Sequence, residues 1–415
     1  MKKKLFSLVL ASVLCLSLLT GCQLGSRVTT YPVEPRSTKD NGIPLTIYCG
    51  SDVVGETLQL IYTYNSQVDK AHQVEIYEVE PSDQRGTAVA TEILAGKGPD
   101  LFLCDSFSLE SYYQLRGSGL FQDLNYYLEK DSSIDLSSYN EEMLEEGIYE
   151  QQRVTVPLYY RAATTYSTTK EKMEEYGVSE DFQIVENDLS SLLDLQEQLE
   201  QKNASLFPSY WIPPQITTVV SRFMDYETTE SRFQTQEFQK LAEEYKSVER
   251  IKKEDDKYLL DGSSVNISEI VSMADTEQGE YVFIPVREST GGKYNIYPAL
   301  FAAISQNSPN GERAFEFILW CLSETAQMEQ YQTCIPVNTK ALNTQITQEC
   351  VGKDDLKAQY YDFINNLSIT SGPDYKFVLE IFEPLWNEYM DDKMSVEELT
   401  KELDNKARIY LKEQA

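Results

Sequence analysis

Histidine is almost missing from this chain: among 415 residues only His72 is present, in a stretch that reads as a surface loop. Histidine-based triads and multi-histidine metal sites therefore have no candidates. A G-x-S-x-G elbow and a glycine-rich phosphate cradle are missing too. Positive charge is scarce, with 36 Lys and Arg against 67 Asp and Glu and a net charge of −31. Nucleic-acid binders show basic patches, and anionic membrane surfaces attract them, so neither partner is expected. The acidity reads as solubility and self-repulsion. Cysteine is thin as well. Cys49, Cys104, Cys321, Cys334 and Cys350 show no tight framework spacing and no paired C-x-x-C pattern. Cys49 and Cys104 close two predicted strands, where a buried thiol acts as a small hydrophobe. Cys321 with Cys334 is the one pair whose bonding calls for a test. No cofactor and no metal are expected.

Long apolar runs are confined to the start. Lys2, Lys3 and Lys4 precede an apolar stretch from Leu5 to Leu19, followed by Leu19-Thr20-Gly21-Cys22. About 15 apolar residues are too few to span a bilayer, so residues 1–21 read as a signal peptide. The Leu-Thr-Gly-Cys run resembles the lipobox of bacterial lipoproteins. That resemblance implies a mature chain starting at Cys22, lipidated there and anchored at the extracellular face of the bacterial cell membrane, with no other membrane attachment. Without the three lysines, 33 bases would face 67 acids, a net of −34. Residues 22–42 combine this cysteine with Ser26, Thr29, Thr30, Pro32, Pro35, Ser37, Thr38 and Gly42, a tether reaching about 25 Å.

The remaining chain, 41% apolar overall, has length for more than one domain. Leu45 to Cys49 reads as a strand, Val53 to Tyr64 as a helix and Val74 to Val79 as a strand. A helix through Val89, Ala90, Ile93 and Leu94 stops at Gly96, and the strand Leu101-Phe102-Leu103 follows. This is βαβαβ, and continuous apolar strands between helices predict a parallel sheet buried on both faces. Ligands of such sheets bind beyond the carboxyl ends of the strands, here Cys49-Gly50-Ser51-Asp52 and Cys104-Asp105-Ser106. A second α/β region is predicted after Pro157, with helices Leu189 to Leu199 and Gln236 to Tyr245. Ser308-Pro309 reads as an N-cap followed by proline at the first helical position. Ser395 and Glu398 form a capping box before the stripe Leu399, Leu403, Ala407 and Tyr410, which reads as core.

Several motifs carry a family resemblance. Leu94-Ala95-Gly96-Lys97-Gly98-Pro99-Asp100-Leu101-Phe102, then Gly119-Leu120-Phe121-Gln122-Asp123-Leu124, resemble sugar-type, maltose-binding-like solute-binding proteins of ABC importers. Val156-Pro157-Leu158-Tyr159, Phe283-Ile284-Pro285, Ser308-Pro309-Asn310 and Ile335-Pro336-Val337-Asn338 agree with it. The resemblance implies a type II periplasmic-binding-protein-like α/β fold of two lobes, each a mostly parallel sheet flanked by helices, with a hinge between them. One lobe would take residues 43–159 plus 293–338, the other 163–286 plus 341–415. The implied function is capture of a small solute, a mono- or oligosaccharide, and its delivery to a membrane permease by a monomer that is not an enzyme.

Sugars present C–H faces and hydroxyl rims, so their sites need aromatic platforms and carboxylate or amide acceptors. Tyr210 and Trp211, in Phe207-Pro208-Ser209-Tyr210-Trp211-Ile212-Pro213, resemble the stacking stretch of maltose-binding relatives; the alternative is core packing. Asp105 either meets sugar hydroxyls or caps a helix, and Ser51 and Asp52 hold the equivalent place after the first strand. Arg161 stands near where those relatives show a glutamate. Its bidentate guanidinium suits an anionic solute, or pairs internally with one of the many acids. Other readings of the chain are a surface sensor or adhesin on the same fold, or a glycan hydrolase using paired carboxylates.

Overall fold

Three short strands begin the architecture: Leu45–Cys49 (β1), Val74–Ile76 (β2) and Leu101–Cys104 (β3). The computed structural model describes residues 44–49, 54–77, 85–104, 116–130, 135–162, 165–209, 216–226, 228–251, 257–277, 279–288, 292–328, 334–369 and 374–414. β2 and β3 lie parallel on either side of β1, with Leu45 opposite Val74 and Ile47 opposite Leu101. The helices Val54–Gln67 (α1) and Arg85–Leu94 (α2) supply the crossovers. All four residues of β3 are buried, as a strand covered on both faces requires. Gly96 takes φ +76° after α2 and Gly98 φ +99°, where a Cβ would stand 3.0 Å from Ile93 Cγ1.

The turn these glycines form delivers Asp100 to a buried position. Its carboxylate accepts from Thr46 N and Oγ1 at 3.0 Å each, from Ser308 Oγ at 2.6 Å and from Asn310 Nδ2 at 3.1 Å. Two motifs 208 residues apart thus meet in one network. This corrects the capping expectation at Ser308-Pro309. The helix Gly311–Leu322 starts after Asn310, which makes no side-chain cap bond and gives its Nδ2 to Asp100, while Ser308 Oγ accepts from Asn310 N at 3.1 Å ahead of the helix. The Ser395–Glu398 box forms as expected, with Ser395 N donating to Glu398 Oε2 at 2.9 Å and Glu398 N to Ser395 Oγ at 3.2 Å. Leu399, Leu403, Ala407 and Tyr410 are buried.

Two long strands extend the first sheet. Val156–Ala162 (β4) runs antiparallel to the strand Tyr294–Ile304, which is antiparallel to β3 through Phe301 opposite Cys104. Val156 lies level with Ala302, whereas Arg161 lies opposite Tyr297, beyond the carboxyl end of β3. The two strands therefore continue past that edge as a ribbon, which Leu367–Ile369 widens by pairing parallel with Tyr294–Ile296. The second sheet holds Thr165–Thr169 (β5), Asp261–Gly262 (β6) and Tyr281–Pro285 (β7), with β5 central. Numbering onward in chain order, Tyr294–Ile304 is β8.

The chain folds as α/β with two main sheets flanked by helices, beside two two-stranded ones, and one detail differs from expectation. Parallel pairing holds for β2-β1-β3, but both pairings of the second sheet are antiparallel. No crossover helix joins β4 to β5, which follow each other directly, and β7 returns beside β5 toward the ribbon.

The larger core gathers Leu45, Leu103, Tyr160, Ile296 and Phe315, and reaches Ile270, Phe283, Tyr360 and Phe363. The smaller one gathers Tyr166, Leu195, Phe238, Trp386 and Leu403. β7 serves both, sending Tyr281 and Phe283 to the first and Ile284 to the second. Cys49, Cys104, Cys321, Cys334 and Cys350 are free thiols, so Cys321 and Cys334 are not bonded. Burial pushes the Cys49 thiol up to about 12 and raises Cys321 as well. Among the described residues no helix is long and apolar enough to cross a membrane.

Candidate functional site

β1 and β3 are adjacent and parallel, so their ends at Cys49 and Cys104 share one edge of the first sheet. Ser51, Asp52 and Asp105 follow these ends in sequence but lie outside the described residues, as do Tyr210, Trp211 and Cys22. The approach to Tyr210 and Trp211 is described. Phe207 is fully buried against Tyr166, ring centroids 5.3 Å apart, and Ser205 Oγ donates to the Phe207 carbonyl at 2.9 Å. Phe207 is thus core, while the two aromatics beyond it fall in residues 210–215.

Arg161 is the sequence-derived candidate that the structure describes. It is half-buried on β4 directly opposite Tyr297 of β8, and opposed residues of an antiparallel pair place their side chains on one face. Two residues along, Asn295 shares that face. Tyr294 and Ile296 point the other way, into the larger core. One side of the ribbon is therefore apolar and packed, and the other carries Arg161, Tyr297 and Asn295.

A buried charge cluster meets this polar side. The Glu186 carboxylate, 4% exposed, is paired with the Arg222 guanidinium and accepts from Asn295 Nδ2 at 2.7 Å. Its backbone is fixed too, with Glu186 N donating to Arg287 O and Arg287 N to Ile184 O, both at 2.8 Å. Arg287 lies 4.5 Å from the Tyr294 ring centroid and 3.5 Å from the Asp362 carboxylate. Asn295 spends its amide N–H on Glu186, and its Oδ1 is buried with no donor among the described residues. Taking two charges out of water is costly unless they are paired and further hydrogen-bonded. Glu186 has both forms of support.

Glu186, Arg222 and Asn295 were missed by the sequence reading. One signal was available: Asn295 is the only amide in the eleven-residue strand Tyr294–Ile304, otherwise apolar or tyrosine. A guanidinium, a phenol and an amide can bind and orient a polar solute. His72 lies apart, in the short turn Lys70–His72, with Nδ1 2.7 Å from the Asp69 carboxylate. Among the described residues no group of three His, Cys, Asp or Glu side chains could hold a metal ion.

A family model described as bacterial extracellular solute-binding protein matches residues 59–328. Solved structures agree in fold. The ABC substrate-binding protein Lmo0181 from Listeria monocytogenes, in complex with cycloalternan, aligns with a TM-score of 0.63 at 12% identity, covering 89% of this chain and 99% of its own. The cyclic alpha-maltosyl-1,6-maltose binding protein from Arthrobacter globiformis gives 0.61 at 16% identity, with 89% and 99% covered. UgpB from Mycobacterium tuberculosis, in complex with glycerophosphocholine, gives 0.61 at 12%, with 90% and 99% covered. No curated protein matches the chain.

Proposed function

Because the chain belongs to the bacterial extracellular solute-binding proteins, we propose that it captures a carbohydrate between its two lobes and delivers it to an ABC permease. The observation that carries this reading is the ribbon of β4 and β8. It runs past the carboxyl edge of β1 and β3, the edge at which open α/β sheets take ligands, and one of its sides is polar. Ser51, Asp52 and Asp105 follow that edge in sequence and would accept from sugar hydroxyls. Tyr210 and Trp211 would supply stacking platforms from the second lobe. Ligand contacted by both lobes stabilises the closed form over the open one. Lipid on Cys22 would hold the protein at the extracellular face, and an unmodified N-terminus in mass spectra of the membrane-derived protein would remove that part.

Arg161 favours a solute with an anionic group. A guanidinium on the polar side of the ribbon offers paired donors to a carboxylate or phosphate. Thermal unfolding against neutral sugars, acidic sugars, oligosaccharides, amino acids and short peptides tests both statements. A solute at a thousand times its dissociation constant stabilises the fold by about 4 kcal/mol. A hit among carbohydrates is the expected result, with acidic ones ahead. Hits confined to amino acids or peptides would overturn the carbohydrate reading.

A further inference from the structure

β2 is the last strand in the order of the first sheet, so among the described residues one of its edges meets no further strand. Gln73 O accepts from Leu45 N at 3.0 Å and Tyr77 N donates to Ile47 O at 2.7 Å, which turns the backbone of Gln73 and Tyr77 inward to β1. Backbone groups alternate in direction along a strand, so those of Val74 and Ile76 turn outward. Both outward groups of Val74 are taken by a single amide. Val74 N donates to Asn65 Oδ1 at 2.8 Å, and Asn65 Nδ2 donates to Val74 O at 2.9 Å. Asn65 sits near the end of α1, where Gln73 Nε2 donates to its carbonyl at 3.2 Å. Its side chain thus stands where one residue of a neighbouring strand would. Ile76, the next outward position, is 41% exposed. Other edges are blunted by different means. Phe283 N, on the outer edge of β7, donates to Gln359 Oε1 at 2.9 Å, and Pro285 carries no N–H. The strand Ile335–Pro336, at the far end of the first sheet, also holds a proline.

We propose that the outer edge of β2 fits the same edge of a second copy of this chain, and that Asn65 is the residue that keeps it closed. An unpaired edge is a template for another strand. An antiparallel pair about a two-fold axis at Glu75 would set Val74 opposite Ile76 of the second copy, and Ile76 opposite Val74 of the second copy. Each pair would exchange both of its backbone bonds. A second copy is therefore the occupant that matches, because the outward residues recur in the required order when the strand is turned end for end. Every bond of that interface includes a Val74, and the Asn65 amide already holds both groups of that residue. Glu75 is a second barrier. Exposed on β2, it would face Glu75 of the second copy with Cα atoms about 4.5 Å apart, and like charges directly opposed repel.

Sedimentation velocity of the full chain tests this over a range of protein concentrations, comparing the parent, Glu75→Gln, Asn65→Ala and the double variant Asn65→Ala/Glu75→Gln. The parent and Glu75→Gln should remain monomeric, since Val74 is occupied in both. Asn65→Ala should associate as salt rises to about 1 M, where the screening length falls to about 3 Å. The double variant should associate at low salt as well, approaching roughly twice the monomer mass. Adding Ile76→Pro removes an outward N–H, leaves the pairing with β1 in place and should return the double variant to monomer. A double variant that stays monomeric while its circular dichroism matches the parent would overturn the proposal. So would a dimer that survives Ile76→Pro, or a dimer of Glu75→Gln alone. Hydrogen exchange on the parent tests the role of Asn65 without any variant: the Val74 amide should exchange at least about tenfold more slowly than the Ile76 amide. Equal rates would contradict it. No ligand is used, so failure of the solute panel and failure of this proposal are separate outcomes.

Discussion

The two sides of the hinge ribbon are built from opposite chemistry. Behind it, Tyr294 meets Phe363 with ring centroids 5.2 Å apart, and Tyr360 Oη donates to Val265 O at 2.7 Å within the same apolar core. In front stand Arg161, Tyr297 and Asn295, with Glu186 and Arg222 beneath them. A close-packed apolar interface loses contacts as soon as it separates. Polar groups can exchange one partner for water or a solute at much smaller net cost. On the proposed reading the back would act as the pivot, and the front would change as the lobes close. On that reading, stability and recognition would be housed on opposite sides of the same two strands.

The largest effect should come from the back. Phe363 is fully buried, and Phe363→Ala should cost about 3–5 kcal/mol in urea denaturation. Next is Asp100→Ala, which strands the donors of Thr46, Ser308 and Asn310 far from the ribbon and should cost about 3 kcal/mol while leaving solute binding intact. Arg161→Ala should shift the urea midpoint little but weaken an anionic solute about tenfold, or 1.4 kcal/mol, in calorimetric titration. A stability loss as large as that of Phe363→Ala would erase the contrast between the two sides.

Smaller effects sharpen the comparison at a distance. Ser395→Ala removes a cap from the last helix, remote from the ribbon in sequence, and should cost about 1 kcal/mol with no effect on solute affinity. Thiol alkylation probes dryness directly. Burial pushes Cys49 up to about 12 and raises Cys321, so both stay protonated at pH 8 and should label slowly. Reactivity should grow only as pH rises toward the Cys49 value, because the thiolate is the nucleophile. Rapid labelling of Cys321 at pH 8 in the native protein would mean that the back of the first lobe is wet.

Local elements were legible in the sequence because their signals are local. The strand Leu101–Cys104, the stop at Gly96 and the Ser395–Glu398 box each depend on residues within a few positions, and all three form. The motifs Gly98-Pro99-Asp100 and Ser308-Pro309-Asn310 were both noticed, yet their union through one carboxylate was not, since nothing in either segment signals a partner 208 residues away. The same reason hid Glu186 and Arg222, which resemble ordinary surface charges in an acidic chain until the fold buries them. Pairing direction in the second sheet was misjudged because helices separate β5 from β6 and β7 just as they separate parallel partners, and nothing in the strand residues marks the direction. Arg161 was singled out by its departure from a family pattern, and its position opposite Tyr297 came only with the register of β8.

The most direct test of the central claim is small-angle scattering of the full chain with and without the carbohydrate that most raises its melting temperature. Closure of two lobes on a shared solute predicts a smaller radius of gyration and a shorter maximum dimension at saturation. An unchanged scattering curve at saturating solute would contradict capture between the lobes.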